Sequence, residues 1–173
     1  LDESCLFWEA FCGHYAGHPA IWAWDLRNEL LYWEEQHMVV GGETDASRIG
    51  DMLRDAWPHW LETRYGTVET MNRVYGKSFG SFSAVPGVIK FVENPFDLAT
   101  SDFRHYLNDR GYAWCKRQCD VIRSAAPGHM IVSGNNAWLA YGQDLFLANG
   151  FHNRALHDLF DFVTFHPYPA MEC

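Results

Sequence analysis

The sequence predicts an α/β fold in which a small parallel sheet alternates with helices. Three short apolar runs, 21–26, 129–133 and 162–165, have the length of strands, and longer segments with helical periodicity separate them. The runs are continuously hydrophobic, which is typical of strands covered on both faces. An alternation of strands and helices implies right-handed βαβ crossovers, and therefore a parallel sheet.

The chain opens on a predicted helix over 2–17. Phe7, Phe11 and Tyr15 recur every four positions along it, as expected for an apolar helix face. Gly17 and a following proline are stop signals, so the first strand is expected to begin shortly after them.

Two helices and an irregular segment are predicted after the first strand. The longer helix should cover about 45–64, and Pro58 should kink it or mark a new start. A short helix is expected to begin at the cap Thr67 and to end at Gly76. Residues 77–96 show no period and predict an excursion over the surface that is long enough for a functional role.

The last third of the chain carries the second and third strands. A long helix is predicted over 97–125 and leads to the second strand, which Asn135 and Asn136 are expected to follow. A short helical stretch at 154–159 then leads into the third strand.

The composition argues against a nucleic-acid partner and against a membrane span. The formal net charge is −9 with no basic stretch, whereas nucleic-acid-binding domains need a basic footprint. No run of about 18 apolar residues is present. The eight tryptophans favour an aromatic-lined cleft, although many are expected in the core. The five cysteines contain no CxxC pair and do not suggest a disulfide framework, and Cys115 and Cys119, one helical turn apart, are expected to be buried thiols.

Polar side chains close all three predicted strands. In parallel α/β folds, functional groups collect beyond the carboxyl ends of the strands. A polar residue after one strand is equally well explained as a helix cap, but three such cases together predict a shared site. The groups concerned are Asn28 and Glu29, Asn135 and Asn136, and His166 and Tyr168.

The chemistry of these groups indicates acid catalysis on a neutral, hydroxyl-rich substrate. No glycine-rich phosphate loop follows a strand and no GxSxG elbow is present, which disfavours nucleotide binding and a serine nucleophile. The amide of Asn28 suits a substrate hydroxyl, and the carboxyl of Glu29 suits proton donation to a leaving oxygen.

The segment from Trp24 to Glu29, WDLRNE, resembles the fourth-strand signature of the retaining glycoside hydrolases of the clan that contains β-galactosidases, cellulases and mannanases. The resemblance implies a partial (β/α)8 TIM barrel, about strands four to six with flanking helices. It also implies that Asn28 holds the sugar 2-hydroxyl and that Glu29 is the general acid/base. The sixth strand of the clan often ends in a histidine or tyrosine near the nucleophile, which matches His166 and Tyr168.

A second stretch, RYGTVETMNRVYG at 64–76, is similar to the segment after strand four in family 42 β-galactosidases. Those proteins show a YGT…LN…WG pattern, and this chain has Tyr75 where tryptophan is usual. Together the two stretches make the resemblance cover nearly all of the chain.

The resemblance also implies that residues 1–173 are an internal fragment of one catalytic domain. A complete barrel usually needs about 250 residues, and the clan's nucleophile is a glutamate that closes strand seven. Glu172 lies too near the sixth strand for that role, because a parallel crossover takes about a dozen residues or more. We therefore expect the acid/base to be present in this chain and the nucleophile to be absent from it.

Several further residues are weaker candidates for the substrate site. Asn135, Asn136 and Trp138 are expected to line a sugar subsite, with helix capping by an asparagine as an equal alternative. Trp33 is a candidate stacking platform. Arg27 is expected to form a structural ion pair.

Two alternatives remain open at this point. One alternative is a metal site, formed either by His14 with His18 or by the ExxH motif at Glu34–His37. A second ExxH motif, as in di-iron bundles, is lacking, so no metal or cofactor is expected. The other alternative is a non-catalytic carbohydrate-binding TIM-barrel protein. The expected partner is an oligo- or polysaccharide; the sugar, the compartment and the oligomeric state stay open.

Overall fold

The computed structural model describes residues 2–28, 45–85, 97–136 and 154–166. The chain divides into two compact units. The sheet unit comprises Leu1–Leu31 and Asn108–Cys173, and the helical unit comprises Tyr32–Leu107.

The sheet unit contains three strands and their helices in the predicted alternation. Its helices are α1 (Asp2–Tyr15), the later part of α4 (Leu98–Ala125) and the short α5 (Arg154–His157). Its strands are β1 (Ala23–Asn28), β2 (Met130–Asn136) and β3 (Phe162–His166). The strands form one parallel sheet in the order β1-β2-β3, which confirms the predicted fold class.

Helices α1 and α4 pack within the sheet unit through aromatic and polar contacts. The rings of Phe11 and Trp24 meet edge to face with centroids 5.7 Å apart, which joins α1 to β1. The indole nitrogen of Trp8 donates to Oε1 of Gln118 at 3.1 Å, which joins α1 to α4. Trp24 and Leu26 are buried, as expected for alternate strand positions beneath helices.

A pair of hydrogen bonds between Asp161 and Ile131, at the amino end of the sheet, fixes the register of β3 against β2. The backbone N–H of Ile131 donates to Oδ2 of Asp161 at 2.8 Å, and the Asp161 N–H donates back to the Ile131 carbonyl at 2.9 Å. Arg123 holds the same carboxylate at 3.2 Å. Because one register holds along the whole length of a strand pair, these hydrogen bonds also determine which residues of β2 and β3 are opposite each other at the carboxyl edge.

The helical unit is built from α2 (Asp45–Tyr65), α3 (Val68–Tyr75), a 3₁₀ turn (Phe82–Ala84) and residues 98–107 of α4. The caps of α3 are the predicted ones. Oγ1 of Thr67 accepts the N–H of Thr70 at 3.2 Å, and Gly76 takes the left-handed conformation at φ 63° that ends the helix.

The helical unit has its own apolar core, in which the aromatic rings are the largest members. The indole N–H of the buried Trp57 donates to the Val85 carbonyl at 3.2 Å, so its polar atom is satisfied. The buried core residues are Trp57, Leu61, Met71, Val85, Phe103, Tyr106 and Leu107.

A buried carboxylate anchors a polar cluster at this core, hereafter the Asp102 cluster. Oδ2 of Asp102 accepts the hydroxyl of Tyr75 at 2.7 Å and also that of Tyr65, and Nε of Arg64 lies 3.3 Å from Oδ1. Burial, then the hydrogen bond to Asp102, raise the pKa of Tyr75 far above its ordinary value. Burial and the hydrogen bond to Asp102 also raise the pKa of Tyr65, so both phenols are neutral donors to the carboxylate.

Some predicted boundaries and burial patterns were wrong. β1 begins at Ala23 rather than Ile21, because only from Ala23 does the strand pair with β2. Asn135 and Asn136 do not follow β2 but are its last two residues, paired with β3. On α1, Phe7 is 55% exposed although it lies on the predicted apolar face.

Of the two alternatives predicted for Pro58, a kink or the start of a new helix, the structure excludes the second. Helix α2 continues through Pro58 without a break. Cys115 and Cys119 are buried thiols, as predicted, and Cys5 and Cys12 are buried thiols as well.

Candidate active site

The three strands end at one edge of the sheet. β1 ends at Asn28, β2 at Asn136 and β3 at His166, and all three run in the same direction. The prediction that these strand ends meet is confirmed for the backbone. Glu29 follows Asn28 directly in the sequence.

The register sets the spacing of the three strand ends. Asn136 pairs with His166, whereas Asn28 pairs with Gly134, two residues before the end of β2. With neighbouring strands about 4.8 Å apart and a rise of about 3.3 Å per residue, the Asn28 and His166 Cα atoms are separated by roughly 12 Å. Side chains from both sides of such a gap can contact one monosaccharide ring.

β1 carries an irregularity immediately before this edge. Asp25 pairs with Val132 and Asn28 pairs with Gly134, so Leu26 and Arg27 together stand opposite Ser133. Two residues against one define a β-bulge, a feature that is over-represented beside active sites. The alternation counted from Trp24 and Leu26 therefore does not extend to Asn28.

The predicted site residues divide into two groups. Asn28, Asn135, Asn136 and His166 have described backbone positions at or near the carboxyl edge. The others lie outside the described residues, and their roles stay predictions. They are Glu29, Trp33, Trp138 and Tyr168, together with the Glu34–His37 motif.

The described ranges contain no group of three or more His, Cys, Asp or Glu side chains arranged to hold a metal ion. Of the two histidines considered for a metal, His18 has a local role, because its Nδ1 accepts the N–H of Ala20 at 3.2 Å. Within the same ranges no helix is both long and apolar enough to cross a membrane.

Two polar features were missed by the sequence analysis. Asp102 lies next to Phe103 in an apolar helix pattern, and no local signal marks it as the acceptor of two tyrosine hydroxyls. Ser133 lies opposite the bulge; the signal that could have indicated this bulge is Gly134, since an isolated glycine in a strand often accompanies one.

Comparison with known proteins identifies the family. The family model described as beta-galactosidase, glycoside hydrolase family 42, matches residues 4–172. The beta-galactosidase of Thermus thermophilus is 29% identical over 123 residues, which are 67% of this chain and 17% of that protein. A beta-galactosidase of an Arthrobacter species is 35% identical over 120 residues, 65% of this chain and 15% of the relative. This chain thus spans less than a fifth of either relative.

Solved structures show which fold this chain is part of. The beta-galactosidase of the psychrophilic Marinomonas ef1 superposes with a TM-score of 0.70 at 22% identity, over 97% of this chain and 24% of that structure. The polyextremophilic beta-galactosidase of Halorubrum lacusprofundi gives 0.67 at 21% identity, over 97% and 23%. The three parallel strands and their helices are part of a (β/α)8 barrel, as predicted, and the chain belongs to glycoside hydrolase family 42, the β-galactosidase family.

Proposed function

We propose that the protein hydrolyses β-galactosides with retention of configuration and that Glu29 is its general acid/base. The observation that carries this proposal is the shared edge of the sheet, where β1 ends in Asn28 directly before Glu29. The relatives and solved structures named as beta-galactosidases support galactose as the sugar.

The proposed reaction has two steps. In the first, the Glu29 carboxyl donates its proton to the leaving glycosidic oxygen while a second carboxylate attacks the anomeric carbon. In the second, the Glu29 carboxylate takes a proton from water, which attacks the same carbon and releases the sugar. Two carboxyl groups about 5–5.5 Å apart give this double displacement and retain the configuration.

Asn28 and the other strand-end residues hold the sugar in this proposal. The Asn28 amide bonds the 2-hydroxyl, a contact that strengthens in the transition state. His166 and Tyr168 lie beside the nucleophile. Asn135, Asn136 and Trp138 line a subsite, and Trp33 stacks on the substrate.

We further propose that the 173 residues are an internal segment of one catalytic domain. The described residues supply three of the strands that a (β/α)8 barrel requires. The attacking carboxylate belongs, in this proposal, to a later strand of the same barrel. Activity is therefore a property of the full-length protein that carries this segment.

The test is Glu29→Gln in the full-length protein, assayed on two β-galactosides. One substrate has a poor alkyl leaving group and the other an activated dinitrophenyl leaving group. We expect kcat/KM to fall by roughly 10²- to 10⁴-fold for the alkyl galactoside. It should change little for the dinitrophenyl galactoside, because that leaving group departs without a proton.

Glu62→Gln is the matched control, since it removes a carboxylate that is 62% exposed on α2. We expect no change in either rate. Unchanged hydrolysis of the alkyl galactoside by Glu29→Gln would refute the acid role. A full-length protein that binds galactosides but hydrolyses neither substrate would be a non-catalytic binding protein.

A further inference from the structure

The β-bulge in β1 leaves the sheet incompletely bonded just before the candidate active site. Leu26 and Arg27 share a single opposite residue, Ser133, and the ladder resumes at the pair of Asn28 with Gly134. A bulge leaves its extra residue unpaired and increases the local twist of its strand. Some other group must hold the bulge if the end of β1 is to keep one conformation.

Ser133, at the same register position, has a side chain that lacks a hydrogen-bond partner in the described part of the chain. Its side chain is 1% exposed, and its hydroxyl has no hydrogen-bond partner among the described residues. Its backbone carbonyl, by contrast, accepts the hydroxyl of Thr164 at 3.4 Å. An unsatisfied buried polar group costs about 1–3 kcal/mol, so alanine would be the more favourable residue here if the hydroxyl had no role.

We propose that Ser133 is a positioning residue for the reaction. Its hydroxyl bonds the backbone of the Leu26–Arg27 bulge through one buried water and thereby fixes the end of β1. Such a water would satisfy both the buried hydroxyl and the backbone group that a bulge leaves without a ladder bond. The catalytic consequence rests on the proposed role of Glu29.

The distance along the chain makes this bond important. Only Asn28 separates the bulge from Glu29. A bulge that relaxes moves the following residues by a fraction of the strand rise of about 3.3 Å per residue. A misplacement of about 1 Å can reduce a rate by roughly 10²-fold.

Ser133→Ala in the full-length protein tests the proposal. We expect kcat/KM for the alkyl galactoside to fall by roughly 10- to 100-fold. The fall for the dinitrophenyl galactoside should be smaller, because only the Asn28 contact is disturbed where no proton is donated. In a Glu29→Gln background, Ser133→Ala should cost only this smaller factor, because the displaced proton donor is already absent.

Ile131→Val is the matched control. Ile131 is fully buried two residues before Ser133 on the same strand, and losing one methyl group should cost about 1 kcal/mol by packing alone. We expect any loss of activity in this variant to be equal for the two substrates. Equal losses for the two substrates in Ser133→Ala, or an undiminished further loss of kcat/KM in the Glu29→Gln background, would overturn the positioning role while leaving the acid role of Glu29 intact.

Hydrogen exchange tests the bond independently of catalysis. In Ser133→Ala we expect amides in a peptide covering 24–29 to exchange roughly 10-fold faster than in the wild type, a readout based on local opening. Ile131→Val should not cause a comparable increase in amide exchange within 24–29. Unchanged exchange across the bulge in Ser133→Ala would refute the proposed bond even if Glu29 proves to have no catalytic role.

Discussion

The helical unit and the sheet unit differ in how they satisfy their buried groups. In the helical unit, the carboxylate of Asp102 is only 7% exposed but has three partners. In the sheet unit, the hydroxyl of Ser133 and the indole nitrogen of Trp24 are buried without a partner among the described residues. The buried carboxylate of the helical unit is thus satisfied within that unit, whereas these two buried atoms of the sheet unit retain unused hydrogen-bonding capacity.

Apolar exposure among the described residues is greater in the sheet unit but is not confined to it. Trp22 is 70% exposed, Leu6 64% and Phe7 55% in the sheet unit, whereas Val74 and Leu98 of the helical unit reach 49% and 48%. Along α1 the stacked rings of Phe7 and Phe11, 5.2 Å apart, present a continuous aromatic surface. The difference teaches that the sheet unit, as part of a barrel, depends more on neighbouring strands and helices than the helical unit, which has its own core.

The largest expected effect concerns the 173-residue chain on its own. We expect it to aggregate and to show no turnover of galactosides, because the sheet unit exposes aromatic surface and, among the described strands, has two open edges. Size-exclusion chromatography and calorimetry measure this. A soluble monomer that unfolds in one cooperative transition would contradict the claim that the sheet unit depends on neighbouring strands and helices.

Asp102→Ala should produce the next largest effect. It removes the acceptor of two tyrosine hydroxyls and the partner of Arg64, which is 47% exposed and so regains water. We expect a loss of about 2–4 kcal/mol in the local opening free energy of α3, measured by hydrogen exchange in the full-length protein. Asp120→Ala, which removes an exposed carboxylate from α4, should leave this free energy unchanged; equal effects would show that the cluster does not stabilise the unit.

Tyr75→Phe should have a smaller effect in the same assay. It removes one hydrogen bond of 2.7 Å to Asp102 and keeps the ring, which predicts a loss of about 1 kcal/mol. Tyr15→Phe is the control, because the Tyr15 hydroxyl has no hydrogen bond to a described residue. If Tyr75→Phe leaves the opening free energy unchanged, Tyr75, which stands where the resembling family 42 pattern has tryptophan, acts only through its ring.

The smallest effect concerns two buried thiols of the sheet unit. Burial raises the pKa of Cys12 and Cys119 from 9.0 to about 11. Folding therefore favours the neutral thiols, and their contribution to stability is complete below pH 9 and is lost as the pH rises through 11. We expect no alkylation of Cys12 or Cys119 in the native protein at pH 8, as read by peptide mass spectrometry, and a shallower alkaline loss of stability in Cys12→Ala. Rapid alkylation of either thiol at pH 8 would contradict this assignment.

Local signals were sufficient for much of the fold. α3 runs from its cap Thr67 to Gly76 as predicted, because both ends depend on side-chain and backbone chemistry within a few residues. The edge shared by Asn28 and His166 was also predictable, since parallel strands end on the same side. The start of β1 and the end of β2 were misplaced, because pairing with another strand decides them.

The sequence by itself determined the alternation of strands and helices, the polar strand ends and the family, since each depends on residue types and their spacing along the chain. Only the tertiary structure decided the two-for-one register at Ser133, the convergence of two tyrosines on Asp102 and the exposure of Phe7. These features join residues far apart in the chain. Their energies arise from contacts that no local pattern encodes.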